Sequence, residues 1–204
     1  MDSTVIELTE RHRSAAVATL AAAFQNDPAV SWIMPDPADR ARRLPKMFDW
    51  LFDDHLRHGM MLGTPDCTAV TFWRVPGKVH HHDALWPPHL LHLLTIFGSA
   101  IFRAAKVGDA SEAHLPLDED WLYLRYAGVL PSSQGKGLGG KVIRAGLVKA
   151  AQRGVGALLE TATPDNVGIY LRLGFTVLHE WDVGAQAPHF WTMMYSGTYP
   201  GADR

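Results

Sequence analysis

Apolar residues recur along this chain at two periods, and the switches between them mark the elements. Residues 4–8 read as a short strand, and Thr9 is placed to cap a helix in which Ala16, Leu20, Ala23 and Phe24 recur at helical spacing. Asn26-Asp27-Pro28 ends that helix, because a residue preceding proline is pushed out of the helical region. A short helical piece through Trp32 and Ile33 reaches a second stop at Pro35-Asp36-Pro37. Residues 40–58 then predict a longer helix with Leu44, Met47, Leu51 and His55 on one stripe, and Pro45 fits it only near the start. Two strands follow at 60–63 and 69–75, around a Pro65-Asp66 turn and broken by Pro76-Gly77. The stretch 80–107 reads as mostly helical, punctuated by Pro87-Pro88, and 108–120 as a polar loop.

The second half has the stronger pattern. Residues 121–130 form an apolar, aromatic run suited to a central strand, followed by a loop at 131–134 and a glycine-rich turn at 135–140. Leu138, Val142, Ile143, Leu147 and Ala151 mark one face of a helix that Gly154 and Gly156 terminate. A buried strand at 157–161, a helix at 165–173 stopped by Gly174, and closing strands at 175–181 and 190–195 complete the order. Strand, glycine turn, helix, strand, helix, strand, strand indicates an α/β or α+β domain.

Composition narrows the field. The chain has 204 residues, within the size of one large domain, and at 47% hydrophobic and 20% charged it can bury a sizeable core. Nineteen Lys and Arg against 21 Asp and Glu give a net charge of -2, which argues against a nucleic-acid binder. A single cysteine, Cys67, excludes an internal disulfide or a multi-cysteine metal site and suits a reducing, cytoplasmic setting. The first thirteen residues mix Asp2, Glu7, Glu10 and Arg11, wrong for a signal peptide. The most apolar run, 90–102, is interrupted by His92 and Gly98 and is shorter than the roughly 20 residues a bilayer requires. It reads as an amphipathic helix buried in the domain, so no membrane partner is expected.

The turn Gln134-Gly135-Lys136-Gly137-Leu138-Gly139 carries the chemistry. Glycines between a strand and a helix let backbone N–H groups converge, and the helix start adds unpaired donors and the positive end of a dipole. Together these favour a phosphate or pyrophosphate. A Walker P-loop fails, because Gly137 stands where the Ser or Thr after Lys136 is needed. Gly135, Gly137 and Gly140 do satisfy the dinucleotide fingerprint, with Glu160 about 20 residues on, which makes a nicotinamide-dependent oxidoreductase the alternative enzyme. Against it, residues 131–134 separate strand from glycines, and only 161–204 follow Glu160, too few for the remaining βαβ units.

The chain resembles the GNAT acetyltransferase superfamily in two ordered motifs. The first is Val129-Leu130-Pro131 followed by Gln134 to Gly139. The second is Glu160-Thr161, then Asn166, then Tyr170-Leu171-Arg172-Leu173-Gly174-Phe175. The likeness spans 121–195, and within the superfamily its motifs are most similar to puromycin N-acetyltransferase-like bacterial proteins. The resemblance implies a mixed, mostly antiparallel sheet, splayed between two central strands and flanked by helices. It implies one domain over 1–204, with 79–114 as a variable helical region on the substrate side. It further implies direct transfer of an acetyl group from acetyl-CoA to a primary amine, here a small-molecule acceptor, and is compatible with a homodimer. A non-catalytic acyl-CoA-binding domain is the remaining alternative.

Residue roles follow from the same resemblance. The pyrophosphate rests on Gln134, Gly135, Lys136, Gly137, Leu138 and Gly139, while the pantetheine arm pairs with the strand end at Val129 and with Asn166. Tyr170 is the general acid for the departing thiolate. Glu160, ending a strand beside the cleft, is the first candidate for general base, with Glu119, Asp120 and His189 as alternatives. Other features have plainer readings. His80-His81-His82 is an exposed loop, and His89 and His92 are packing histidines, so no metal is expected. Arg40, Arg42 and Arg43 are a solvated helix face, Cys67 packs, and Trp32, Trp50 and Trp73 are core residues that could line an aromatic pocket.

Overall fold

The computed structural model describes residues 4–80, 87–116 and 121–197, with 87–90 as backbone alone. Seven strands form one sheet: β1 (Ile6–Glu7), β2 (Gly59–Gly63), β3 (Ala69–Arg74), β4 (Leu122–Val129), β5 (Ala157–Thr161), β6 (Thr176–Asp182) and β7 (His189–Tyr195). Their spatial order is β1-β2-β3-β4-β5-β7-β6. Among the described residues seven α-helices flank it: α1 (Arg13–Ala23), α2 (Pro28–Ile33), α3 (Pro37–His58), α4 (Pro87–Phe97), α5 (Ile101–His114), α6 (Leu138–Gln152) and α7 (Pro164–Arg172). Only β4–β5 is parallel among the described pairs, so the doubly wound parallel sheet that a dinucleotide fold requires is not built.

Period-2 alternation assigns each strand residue to a layer. Met61 and Phe72 join Leu20, Phe48 and Phe52 under α1 and α3, whereas Met60, Leu62 and Trp73 join Ile143, Leu147 and Leu159 under α6. Two features open the middle of the sheet. β4 and β5 pair only from Leu122↔Ala157 to Leu124↔Leu159, and beyond that the strands part. At the same level Tyr126 pairs Phe72 and Leu124 pairs Trp73, so Arg125 is the extra residue of a β-bulge. The expected splay between two central strands is therefore present.

Several expectations are corrected. The segment 108–120 is not a loop as far as it is described: α5 runs to His114, with Val107 and Ala110 packed against Trp181 and Phe190, Ser111 bonded to Glu160, and Gly108 facing open space. Its isolated glycine costs the helix only about 1 kcal/mol. The apolar run around residue 96 is not buried: Ile96 and Phe97 plug the core under α3, while Leu91 is 64% and Phe102 80% exposed. Leu91–His114 is also long and apolar enough, by length and composition, to cross a membrane, which the shorter run suggested it was not. It is nonetheless tied to the domain by Arg103, which donates to Trp32 O at 3.0 Å and lies over the Trp32 ring. Arg40 is not solvated: it is buried and donates to the carbonyls of Gln25, Met34 and Pro35 at 2.7–2.9 Å. Arg43 clasps Asp39 and the carbonyl of Ile96. Pro45 lies well inside α3, where the buried Leu44, Met47 and Phe48 around it keep the helix seated despite the missing N–H.

Trp73 is fully buried, so it lines no pocket, and its Nε1 donates to Thr71 Oγ1 at 2.9 Å. Its ring fills the notch left by Gly146 in α6, where an added Cβ would stand 2.1 Å from Trp73 Cζ2. That contact sets how closely α6 lies on the sheet and hence where its N-terminus emerges. Gly146→Ala should destabilise the fold by about 2 kcal/mol or more through overpacking, despite alanine's better helix propensity, as read from urea unfolding.

Candidate active site

The glycine turn has the shape its sequence demands. Gly135 and Gly137 adopt φ of 76° and 74°, a left-handed region that side chains rarely enter, and Gly137 is the N-cap of α6 with no side chain capping it. A Cβ at either position would meet nothing within 4 Å, so the cradle is open. Behind it, Gly139 brings α6 against β4: a Cβ there would stand 3.2 Å from Val129 Cγ2. Gln134 Nε2 donates to Val129 O and Lys136 Nζ to Ser132 O, both at 3.3 Å, so the turn closes on the end of β4. Leu138 is half-buried over the first turn of α6. The uncapped helix start and open glycines fit an anion such as a pyrophosphate.

Glu160 lies on β5 one residue beyond the last β4–β5 pair. Its carboxylate accepts from Ser111 of α5, from Tyr123 OH of β4 at 3.0 Å and from Thr192 Oγ1 of β7 at 3.3 Å. Burial lifts its pKa to about 7, against the three hydroxyl hydrogen bonds and the nearby His114, which pull it down. It is a carboxylate poised between its two protonation states at neutral pH.

Tyr170 is buried on α7 among the residues under α6, with its ring edge-on to Phe175 at 5.9 Å. Burial, with the Asp27 carboxylate adding to it, raises its hydroxyl to about 12, so the phenol keeps its proton. Asp27 itself caps α2 by accepting from Val30 N at 3.0 Å and faces Thr163 Oγ1 at 3.5 Å, and burial raises its pKa. Asn166 is half-buried in the first turn of α7, its N–H donating to Thr163 O. Glu160 and Tyr170 therefore belong to opposite layers, the carboxylate with α5 and the phenol with α6.

His189 is half-buried on β7, its two ring nitrogens facing Glu180 at 3.0 Å and Asp182 at 3.1 Å, and the Glu180 hydrogen bond raises its pKa. Glu119, Asp120, His81 and His82 lie outside the described residues, as does the side chain of His89. His80 is no exposed loop residue: it is half-buried and tied to Glu112 and to Pro116 O. His92 is exposed. Cys67 is buried and packs, as expected. Sequence reasoning missed Ser111, Tyr123, Thr192 and Asp27. Alternation along β4 and β7 would have put Tyr123 and Thr192 on one face, but nothing local marks Ser111.

The described fold is shared with known acetyltransferases. A model of the acetyltransferase (GNAT) family matches residues 80–175, a span reaching upstream of the motif-bearing stretch into the helices over the site. A crystal structure of histone acetyltransferase HPA2 and related acetyltransferase from Corynebacterium glutamicum superimposes with TM-score 0.74 at 22% identity, covering 98% of this chain and 99% of that one. Arylalkylamine N-acetyltransferase 2 from Aedes aegypti gives 0.66 at 14% identity, covering 95% and 98%. A polyamine N-acetyltransferase of Drosophila melanogaster gives 0.57 at 14%, covering 95% and 99%. With the motif order, the splayed sheet and the open glycine turn already in place, the comparisons lead to one conclusion: residues 80–175 match the acetyltransferase (GNAT) family, and the chain has the fold of known acetyltransferases.

Proposed function

We propose that this chain is an N-acetyltransferase, one domain over 1–204, that moves an acetyl group from acetyl-CoA directly to a primary amine of a small molecule. The observation that supports the reading best is the splay beyond Leu124 and Leu159, taken with the titratable Glu160 one residue past the last pair and the open turn that starts α6. Acetyl-CoA, when bound, supplies an acetyl thioester whose carbonyl is open to an amine. Backbone N–H groups of the turn Gln134 to Gly139, with Lys136, would hold its pyrophosphate. The backbone at the Val129 end of β4, with Asn166, would hold its pantetheine arm as an added strand is held.

The chain's own groups then manage two protons. Glu160 takes one from the incoming ammonium, leaving a neutral amine with a free lone pair. A pKa of about 7 lets the carboxylate be unprotonated for a useful fraction of time and still draw a proton off the substrate. Tyr170, protonated at neutral pH, gives a proton to the departing thiolate and regains one from solvent. Holding amine and thioester in one cleft supplies the rest of the acceleration.

Free thiol released from acetyl-CoA across a panel of arylalkylamines, polyamines and puromycin-like nucleosides is the direct test. Amine-dependent release is expected, and acetyl-CoA binding without turnover by any amine would favour the non-catalytic alternative. Gly137→Glu, which puts a carboxylate into the cradle, should weaken acetyl-CoA about 100-fold or more in calorimetric titration, about 3 kcal/mol. Tyr170→Phe should lower turnover about 100-fold while leaving acetyl-CoA affinity unchanged.

Glu160→Gln should lower turnover to a similar degree at neutral pH and also reverse a stability cost. The folded carboxyl keeps its proton up to about 7, whereas an unfolded one ionises near 4.5. Between those values the folded chain binds more protons, so stability falls as pH rises. Urea unfolding should therefore find Glu160→Gln more stable than the parent at pH 8, by about 1–3 kcal/mol, with the gap closing towards pH 5.

A further inference from the structure

The three hydroxyls around Glu160 are not distributed evenly. Oε2 accepts from both Ser111 and Tyr123, and Oε1 accepts from Thr192 alone. A carboxylate oxygen offers two lone pairs, so Oε2 is saturated and Oε1 keeps one. Thr192 is fully buried, and its hydroxyl is oriented from behind: Trp181 Nε1 donates to Thr192 Oγ1 at 2.9 Å, which commits the threonine's own proton to Glu160. The indole has no freedom to turn away. Its ring is stacked between His114 at 4.5 Å and Phe190 at 4.4 Å, with interplanar angles of 3° and 6°. His114 is in turn fixed by Nδ1–H donating to Ala110 O at 2.6 Å.

We propose that Trp181 and Thr192 are positioning residues: a relay from indole N–H to threonine hydroxyl to Glu160 Oε1 that presents this oxygen, and not Oε2, to the acceptor ammonium. The inference rests on the reading of Glu160 as the base. In the step it serves, an N–H bond of the ammonium breaks and an O–H bond forms on Oε1, leaving a neutral amine and a protonated carboxyl. The groups facing Glu160 are Ser111 and His114 from α5, Tyr123 from β4 with Arg125 two residues along, and Thr192 from β7. Removing the Thr192 hydroxyl takes away a donor to the charged form, so the carboxyl must then titrate higher.

The test is a carboxyl-carbon NMR titration of the full chain without acetyl-CoA, with the Glu160 signal assigned by its loss in Glu160→Gln. Thr192→Val should move the midpoint up by about half a pH unit or more, the scale of one neutral hydrogen bond. Thr192→Ser should restore the parent midpoint. Trp181→Phe, which keeps the stacked ring and removes the N–H, should shift it the same way by less. An unmoved midpoint in Thr192→Val, or one that serine does not restore, overturns the relay. Should the valine variant not fold, Trp181→Phe decides by the same criterion. The base reading fails separately. If Glu160→Gln keeps the parent's acid limb in turnover against pH, the carboxylate is not the base and the relay has no catalytic role. If the limb is lost while the Thr192→Val midpoint stays put, the relay alone is wrong.

Discussion

Everything in this molecule turns on two parallel strands that stop pairing halfway. β4 and β5 exchange hydrogen bonds from Leu122 to Leu124 and then separate, leaving main-chain donors and acceptors exposed inside a sheet rather than at its edge. Unpaired backbone is costly unless water or a ligand serves it, so such an opening persists only where the surrounding structure enforces it. Here the enforcement comes from both sides. The bulge at Arg125 breaks the regular course of β4, and α5 brings Ser111 up to Glu160, just past the last strand pair. The gap offers an extended ligand bearing amide groups the donors and acceptors of an interrupted ladder, the place proposed here for the pantetheine arm.

The second constraint is where α6 begins. A helix N-terminus can hold a diphosphate only if it is aimed at the gap, and its aim is set far from the turn, by Gly146 receiving the Trp73 ring. At the near end Gly139 packs on Val129 and Gln134 reaches the Val129 carbonyl, so turn and strand end move as one body. The buried Arg40, tying together the carbonyls of Gln25, Met34 and Pro35, likewise holds the α1–α2–α3 corner that presents Asp27. These are packing contacts with catalytic consequences, since an ångström of drift in either body would misplace the reacting groups.

How much of this is legible in the sequence depends on distance along the chain. The glycine turn, its helix, Glu160 at a strand end and Tyr170 on the next helix are local patterns, each contained within a few residues, and the strand and helix order follows from their periods. The partners of Glu160 are not local. Ser111, Tyr123 and Thr192 come from three elements separated by 49, 37 and 32 residues from it, and only the sheet order brings them together. Arg40 reads as surface by its charge although it stands four residues before Leu44 on the buried stripe of α3, because the carbonyls it binds belong to a turn that no periodicity describes. The α5 segment reads as loop because its Gly108 and small polar residues resemble one, whereas what makes it helical is a sheet face waiting to be covered.

Two carboxylates buried near the splay have been given opposite company. Asp54 on α3 is met by Arg74 at 2.6 Å and Arg125 at 3.5 Å, cations that compensate its charge. Glu160 receives hydroxyls, and His114 nearby is held in a stack against Trp181. A buried carboxylate that served the fold alone would be better off with an arginine, since one-sided desolvation is what raises its pKa and lowers stability above neutrality. Arg125 is two residues from Tyr123 and is directed to Asp54 instead. The arrangement keeps one carboxyl near its titration point at a cost in stability, which suits the proton-accepting role proposed for Glu160.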